Sequence, residues 1–270
     1  MIHRILLNTS QSFSKNYINI HNKILFLITK ILVQIIRFKK VYIFNIITKF
    51  FYLGNFCYSY YNVRLYNPEF KDPTFRYCNG GAYGNFYYYY LKNLKNKFQF
   101  IDVGANIGIY SLISSRNSEC LKIDSFEPNL KIYNNLKLNL SKINYAYAHN
   151  LAISDTVGQL NFYIDPNSSG SSKINEKKFN TSITTINRDF LKKLVLKNIK
   201  INIKIDVEGH EYLVLNEIMN SFNHDQIYSI YVEIENNEKN YEDIKNLLNG
   251  FRLIYTEKLK KKSNCLFEKK

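Results

Sequence analysis

The chain has 270 residues, of which 46% are hydrophobic, enough for one large α/β domain with an extension or for two small domains. The net charge of +15 lies mainly in the first hundred residues, where 14 Lys and Arg residues accompany two acids; this excess suggests an anionic membrane surface, nucleic acid or acidic glycan as partner. The four scattered cysteines form no C-x-x-C pair, which argues against a zinc site or a disulfide framework and favours a reduced, cytoplasmic environment.

Residues 1–80 are predicted to form a basic, apolar and helical N-terminal extension. Charged residues interrupt its apolar stretch, so the longest uncharged runs fall short of the roughly 20 residues that span a bilayer. One narrow stripe of the predicted helix holds the polar side chains Lys23, Lys30, Gln34 and Arg37. The wide apolar face that remains can pack on the following domain or on a second subunit, or it can lie in a membrane interface with its basic edge on anionic lipid.

Residues 81–270 are predicted to form one α/β domain, because strand and helix patterns alternate along them. The main predicted strands are 98–103, 121–126, 145–148, 201–207 and 227–234. The predicted helices are 86–94, 107–116, 130–140, 190–196, 211–219 and 241–248. Repeated β-α units imply a mostly parallel sheet, to which a C-terminal hairpin of residues 251–256 and 265–268 adds an antiparallel edge.

The region between the third and fourth long strands is less regular. Residues 151–153 are predicted to pair with residues 160–164 as a hairpin. Residues 165–180 are rich in Ser and Asn and show no periodicity, so we expect an irregular loop there.

The first motif is the string IDVGANIGIYSL, residues 101–112, which indicates a buried strand, a polar turn and a helix. Asp102 stands near the end of the strand. Gly104 and Gly108 let backbone approach a ligand closely, and Asn106 is one of the few residue types that tolerate a left-handed conformation. The glycine spacing is G-x-x-x-G, which does not fit the G-x-G-x-x-G fingerprint of nicotinamide cofactors.

A carboxylate follows the second strand, where Glu127 stands 23 residues after Gly104. A carboxylate at this place can accept hydrogen bonds from both hydroxyls of a ribose. The alternative is that Glu127 only provides a negative charge at the start of the next helix. Gly104, Gly108 and Glu127 at this spacing are more specific than the glycine pair alone.

The second motif is the string IKIDVEGHEYLVL, residues 203–215. Asp206 follows a buried strand, and ligands bind where the carboxyl ends of such strands meet polar turns. We expect Asp206 to contact the substrate or the cofactor, with Glu208 and His210 as candidates for a base or a substrate contact. His210 could equally cap a helix or pack. The acids and the histidine could also hold a divalent cation, but no metal site is predicted.

These strings, with NLAISDTVGQLNFY (residues 150–163) and SITTI (residues 182–186), resemble the FkbM family of S-adenosylmethionine-dependent methyltransferases. The resemblance covers about residues 98–234, and VGANIG and KIDVEGHE are its specific parts. It implies the class I methyltransferase fold, a Rossmann-like α/β sheet, with S-adenosylmethionine as cofactor and typically O-methylation of a hydroxyl on a glycan, glycolipid or secondary metabolite. One departure is Asn187, where the family commonly has an aspartate.

The resemblance and the motifs together predict the site residues. Cofactor-binding roles are predicted for Asp102, Gly104, Asn106, Gly108, Glu127 and Asn150. Catalytic roles are predicted for Asp206, Glu208 and His210. Glu233 and Glu235 alternate to one face of the next strand, where one can reach the substrate or both can be solvated.

Two alternative functions stay open at this point. The net charge of +15 suggests an RNA methyltransferase, but the excess lies on an apolar segment rather than among exposed aromatics, so a nucleic-acid partner is not expected. A membrane-associated, non-catalytic scaffold is argued against by the intact Asp102, Glu127 and Asp206. We expect a small-molecule or glycan acceptor and a cytoplasmic protein, with peripheral contact at the inner membrane face and homo-oligomerisation as further expectations.

Overall fold

A computed structural model describes residues 2–36, 39–83, 85–235 and 238–270. It divides the chain into two compact units, residues 1–87 and residues 88–270. The first unit contains α1 (Ile2–Ile36), α2 (Lys40–Phe51), β1 (Phe56–Tyr58), β2 (Arg64–Tyr66) and α3 (Pro73–Gly80). The predicted N-terminal helices are therefore confirmed. The antiparallel β1–β2 ribbon was not predicted, because its three-residue strands carry no readable alternation.

One segment of α1, Lys15–Ile35, is long and apolar enough to cross a membrane by length and composition alone. This differs from the expectation above, which considered only uncharged runs, whereas the segment includes Lys23 and Lys30. A core helix of a soluble protein or a signal sequence meets the same criterion, so the observation is weak by itself.

Helix α4 (Phe86–Asn93) includes the boundary between the units. The strands that follow are β3 (Phe98–Val103), β4 (Cys120–Phe126), β5 (Ala146–His149), β6 (Ala152–Ile153), β7 (Gly158–Tyr163), β8 (Lys173–Ile174), β9 (Thr181–Ile186), β10 (Lys200–Ile205), β11 (Ile227–Glu235), β12 (Phe251–Lys258) and β13 (Lys262–Lys269). The helices are α5 (Ile109–Ser114), α6 (Leu130–Leu140), α7 (Arg188–Lys192), α8 (Glu211–Met219) and α9 (Glu238–Leu247).

The main sheet has seven strands in the order β12-β13-β11-β10-β3-β4-β5. The strands from β11 to β5 are parallel, and β13 runs antiparallel to both of its neighbours. The predicted α/β sheet, mostly parallel with an antiparallel C-terminal hairpin, is confirmed. Helix α8 covers the sheet with the apolar side chains of Val214, Leu215 and Ile218.

The predicted pairing of residues 151–153 with residues 160–164 is wrong. These segments form β6 and β7 of a second sheet, ordered β6-β9-β7-β8, in which β9 lies between them. Strand β9 pairs parallel with β6 and antiparallel with β7. Ile183 of β9 packs with Ala152 and Phe162, and this long-range packing replaces the local hairpin.

The register of the main sheet aligns the carboxyl ends of five neighbouring strands. The paired residues in this row are His149, Phe126, Val103, Ile205 and Val232. The residues that follow them form a second row across the sheet: Asn150, Glu127, Gly104, Asp206 and Glu233. The fold therefore brings the two sequence motifs to one edge.

Candidate active site

The turn after β3 places three residues in left-handed conformations, Gly104 (φ 69°), Asn106 (φ 50°) and Gly108 (φ 84°). A Cβ atom on Gly104 would lie 1.8 Å from the carbonyl oxygen of Asp206. A Cβ atom on Gly108 would lie 2.6 Å from Leu136 Cδ1. The Asp206 backbone therefore requires a glycine at position 104, and the left-handed backbone favours one at position 108. Their predicted contact with the cofactor stays a prediction, as it does for Asn106.

Glu127 is buried against this turn at the end of β4. Its Oε2 accepts a hydrogen bond from the Asn106 N–H (3.0 Å), and its Oε1 accepts one from the Asn129 N–H (2.9 Å). Desolvation raises the pKa of Glu127 to about 7, although these hydrogen bonds act in the opposite direction. A carboxylate offers about four lone-pair positions, so two remain for further hydroxyl donors.

Asn150 fixes the backbone beside Glu127. Its Nδ2 donates to the carbonyl oxygens of Glu127 and Pro128, both at 2.9 Å. The amide thereby ties the end of β5 to the turn after β4. The structure gives Asn150 this positioning role, and direct binding to the cofactor stays a prediction.

Asp102 is buried near the end of β3, and its predicted contact with the cofactor stays a prediction. Its side chain is 1% exposed, and its Oδ2 accepts a hydrogen bond from Ser111 Oγ at 2.6 Å. Its Oδ1 lies 3.4 Å from the ammonium of Lys204 on the neighbouring strand. We infer that Asp102 acts on the site through Lys204.

Lys204 connects the two motifs, and sequence reasoning missed it. Its Nζ donates to the carbonyl oxygen of Gly104 (2.7 Å) and lies 3.8 Å from Asp206 Oδ2. Burial acts to lower the pKa of Lys204, but the carboxylates of Asp102 and Asp206 raise it, so the side chain stays charged. The available signal was a lysine within an apolar strand, two residues before Asp206.

A carboxylate cluster occupies the ends of β10 and β11. Carboxylate oxygens of Asp206, Glu208 and Glu233 lie within 4.8 Å of one another. Lys262 of β13 donates from Nζ to Glu208 Oε2 (2.6 Å) and to Glu233 Oε2. A cluster of this kind can share a cation, and the Lys262 ammonium already lies against two of its three carboxylates.

The pKa values of two acids in the carboxylate cluster, Glu208 and Glu233, are raised. Desolvation, followed by repulsion from Asp206, raises the pKa of Glu233 to about 7, while Lys262 opposes the shift. Desolvation also raises the pKa of Glu208. Glu208 takes a left-handed conformation (φ 57°) and Gly209 has φ 100°, so the chain leaves the strand direction there. The side chains of Asp206 and Glu208 still meet.

His210 does not take part in the carboxylate cluster through any described contact. It occupies the N-cap position of α8 without a capping side-chain bond, and its Nε2 lies 3.2 Å from Ser154 Oγ. Ser154 Oγ also lies within hydrogen-bond distance of Asp155 Oδ1, to which it can donate. Desolvation lowers the pKa of His210, so the ring is neutral near pH 7.

Asn187, the departure from the family pattern, has a structural role. Its side chain accepts a hydrogen bond from the Asp189 N–H at 3.1 Å and caps the start of α7. Asn and Asp cap helices about equally well. Asn187 therefore keeps the helix-capping role that an aspartate at this position would have.

A sequence model described as the methyltransferase FkbM domain matches residues 102–255, more than half of the chain. The chain belongs to the FkbM methyltransferase family. It is therefore an S-adenosylmethionine-dependent methyltransferase, and its seven-stranded sheet is the class I methyltransferase fold.

Solved methyltransferases share parts of this fold at low identity. Precorrin-6y C5,15-methyltransferase from Geobacter metallireducens GS-15 is 11% identical with a TM-score of 0.39, covering 68% of this chain and 87% of that chain. Aeropyrum pernix fibrillarin in complex with natively bound S-adenosyl-L-methionine is 12% identical with a TM-score of 0.42, covering 67% and 73%. A tRNA methyltransferase from M. jannaschii is 11% identical with a TM-score of 0.45, covering 77% and 54%. No curated protein sequence matches the chain.

The residues of this FkbM protein fit the cofactor of the family. The Glu127 carboxylate retains acceptor capacity for a ribose diol, and Asn150 and Asn129 hold it in place. The left-handed turn at Gly104 and Gly108 brings backbone rather than side chains to the same edge of the sheet.

Proposed function

We propose that this FkbM methyltransferase O-methylates a hydroxyl of a glycan, glycolipid or secondary metabolite. The observation that supports the proposal is the carboxylate cluster of Asp206, Glu208 and Glu233, which follows the strand next to the Gly104 turn. Carboxylates at this edge can bind a hydroxyl group and accept its proton.

S-adenosylmethionine supplies a methyl group that is already activated by its sulfonium. The protein therefore has to hold the acceptor oxygen in line with that methyl, which can contribute on the order of 7–11 kcal/mol. A base that removes the hydroxyl proton adds roughly 10²–10⁴-fold in rate. Both tasks require side chains at the end of β10 that can accept a hydrogen bond or a proton from the substrate hydroxyl.

Asp206 is our first candidate for contact with the acceptor hydroxyl. Its side chain is 33% exposed, and its backbone packs against Gly104. The Lys204 ammonium lies 3.8 Å from Asp206 Oδ2 and helps to hold this side chain in place. Asp102 contributes by holding Lys204 charged and positioned.

Glu208 and His210 are the other proposed catalytic residues. Lys262 orients Glu208 and Glu233, and Glu233, with its pKa of about 7, has the acidity that suits a base near neutral pH. His210 offers an imidazole whose pKa is lowered by burial. The residues proposed to bind the cofactor are Gly104, Asn106, Gly108, Glu127 and Asn150.

The test is methyl transfer from isotope-labelled S-adenosylmethionine to glycan, glycolipid and small-metabolite extracts, with the linkage determined by mass spectrometry. Asp206→Asn should reduce kcat by about 100-fold or more, while cofactor affinity measured by calorimetry changes only a few-fold. Asp225→Asn, at an exposed carboxylate before β11, is the matched control and should behave as wild type. Unchanged kcat in Asp206→Asn would exclude the proposed role.

The same assay separates the alternative of an RNA methyltransferase, which the charge of +15 favours. Label found on RNA or on nitrogen, with RNA binding that weakens steeply as salt rises, would contradict the proposed hydroxyl acceptor.

We further infer a cytoplasmic protein with peripheral contact at the inner membrane face. Homo-oligomerisation also stays a prediction, which light scattering on the purified protein tests.

A further inference from the structure

Helix α1 uses several polar side chains for contacts inside its own unit, beside the buried apolar side chains of Phe26 and Val33. Asn22 is buried; its Nδ2 donates to the carbonyl oxygens of Leu53 (2.7 Å) and Phe56 (3.0 Å), and its Oδ1 accepts from the Leu53 N–H (2.8 Å). Asn19 Oδ1 accepts from the Tyr58 hydroxyl at 2.7 Å. The buried face of α1 therefore contains amide side chains as well as apolar ones.

The opposite face of α1 is apolar and exposed. Its residues recur at the i, i+4, i+7, i+8, i+11 and i+15 positions of one helical face, and each is between 51% and 73% exposed: Ile20, Ile24, Leu27, Ile28, Ile31 and Ile35. Contiguous apolar surface of this kind marks an interaction site.

Helix α2 likewise combines buried polar side chains with exposed apolar ones. Asn45 and Thr48 are buried, and Asn45 Nδ2 donates to the carbonyl oxygens of Val41 (2.8 Å) and Arg76 (2.9 Å). Tyr42 and Phe50, eight residues apart on α2, are 64% and 72% exposed. Both helices thus leave a run of apolar residues exposed, while Asn22 and Asn45 are buried beside apolar side chains such as Phe26 and Phe44. We call the exposed apolar faces of α1 and α2 the docking surface.

The charge of the unit indicates what covers the docking surface. Residues 1–87 contain 11 Lys and Arg residues against Glu69 and Asp72, a net charge of +9. Lys15, Lys23 and Lys49 are exposed on the same two helices. An anionic lipid surface attracts this charge, whereas a second copy of the unit would bring another +9 and be repelled.

We propose that the docking surface inserts into the interface of an anionic lipid bilayer, with α1 and α2 lying in the membrane plane. Exposed Ile, Leu and Phe side chains enter the acyl region, and the lysines contact the headgroups. The proposal goes beyond methyl transfer and does not depend on which acceptor is methylated.

The folded unit also indicates that α1 lies in the membrane rather than crossing it. Lys30 Nζ donates to the carbonyl oxygen of Tyr60, and Arg64 Nη2 donates to Asn19. A spanning α1 would carry these charges and the β1–β2 ribbon into hydrocarbon, where unpaired backbone groups cost several kcal/mol each. In-plane insertion leaves the ribbon on the aqueous side.

The test is co-flotation of the full-length protein with vesicles of phosphatidylcholine alone and of phosphatidylcholine with 30–40% phosphatidylglycerol, a composition of the order used for anionic-surface binding. We expect flotation with the anionic vesicles and a loss of about tenfold or more in partitioning for Ile24→Glu/Ile28→Glu. The matched control is Val157→Glu/Leu253→Glu, the same change at exposed apolar residues of the other unit. It should float as wild type does.

Several outcomes would overturn the proposal. Equal flotation of both double variants would exclude the docking surface, and so would the absence of flotation of the wild type. A dimer that Ile24→Glu/Ile28→Glu dissociates, without vesicle binding, would assign the surface to a second copy. Retention of vesicle-bound protein in alkaline carbonate would indicate a spanning helix instead. Circular dichroism monitors the helical fold of each variant, and calorimetry with S-adenosylmethionine keeps failure here distinct from failure of the proposed reaction.

Discussion

The two units of this protein differ in the helix surfaces that they leave exposed. In residues 88–270, α8 buries Val214, Leu215 and Ile218 against the sheet, as expected for a soluble α/β domain. In residues 1–87, α1 buries Asn22 in hydrogen bonds and leaves Ile28 exposed. An apolar stretch in a sequence therefore does not by itself say which face of the helix lies inside.

Buried polar groups serve a different purpose in each unit. In the methyltransferase unit they lie where the strands end, and Lys204 connects Asp102, Asp206 and the Gly104 turn. In the N-terminal unit they fasten helices to loops and the ribbon through uncharged amides such as Asn22. An unpaired buried charge costs more free energy than an unpaired buried amide. Substitutions that unpair a charge in the methyltransferase unit should therefore lower stability more than those that remove an amide in the N-terminal unit.

The largest effect is expected for Lys204→Met. Removing the ammonium leaves the buried Asp102 carboxylate without its counter-ion, which should cost about 3–5 kcal/mol of unfolding free energy. Lys200→Met on the same strand is the control; its exposed ammonium donates to the Asp225 carbonyl, and its loss should cost less than about 0.5 kcal/mol. Chemical denaturation measures both.

A second variant keeps this prediction testable if Lys204→Met does not fold. Lys204→Met/Asp102→Asn lacks the unpaired charge and should recover a large part of the lost stability. If the double variant were no more stable than Lys204→Met, the ion pair could not be what Lys204 provides.

The next prediction concerns helix α1. Asn22→Ala removes three hydrogen bonds and leaves the backbone of Leu53 and Phe56 unpaired, so we expect a loss of about 2–3 kcal/mol. Ile28→Ala, at an exposed position of the same helix, should change stability by less than about 0.5 kcal/mol. A soluble amphipathic helix predicts the reverse order, so a larger loss in Ile28→Ala would refute the arrangement. Hydrogen exchange of α1 amides is a local readout of both variants.

Much of the methyltransferase unit follows from local sequence signals. The β-α alternation and the turn residues at Gly104 and Asn106 predicted the sheet and the left-handed turn. The motifs predicted four members of the second row across the sheet as site residues: Asn150, Glu127, Gly104 and Asp206. Residues directly after parallel strands meet at one edge. Glu233 completes that row and was only a secondary candidate.

What could not be predicted depends on partners distant in sequence. Strand β9 inserts between β6 and β7 because Ile183 packs with side chains about 20 and 30 residues earlier, and a local hairpin pattern cannot exclude this. The burial of Asp102 depends on Lys204, which lies on a neighbouring strand a hundred residues later. The outward apolar face of α1 depends on where Asn22 finds its acceptors.

A moderate effect on binding is expected for Glu127→Gln. An amide presents an NH₂ group to one of the two backbone donors and accepts poorly from ribose hydroxyls, so the Kd for S-adenosylmethionine should rise about 10- to 100-fold. Glu119→Gln, just before the other end of β4, should leave the Kd unchanged. Calorimetry measures both, and an unchanged Kd in Glu127→Gln would contradict the assigned role.

Glu127 also predicts opposite pH trends for binding and stability. Its pKa in the folded protein is raised to about 7, so between its ordinary pKa and 7 the unfolded chain ionises first and stability falls as the pH rises. Cofactor binding prefers the carboxylate and should tighten as the pH rises through about 7. Glu127→Gln should flatten the binding trend and weaken the stability trend, to which Glu233 also contributes, and a Kd independent of pH in the wild type would exclude the proposed contact.

The smallest effect concerns the residue at which this chain departs from its family. Asn187→Ala removes the side-chain cap of α7 and should cost about 1 kcal/mol, while Asn187→Asp should be neutral or slightly stabilising, because either side chain accepts from the Asp189 N–H. Thermal denaturation measures the stability of both variants. Activity of Asn187→Asp should equal that of the wild type if the position only caps the helix. A gain in kcat would instead show that a carboxylate at this position takes part in the reaction, which would extend the catalytic edge beyond Asp206 and its neighbours.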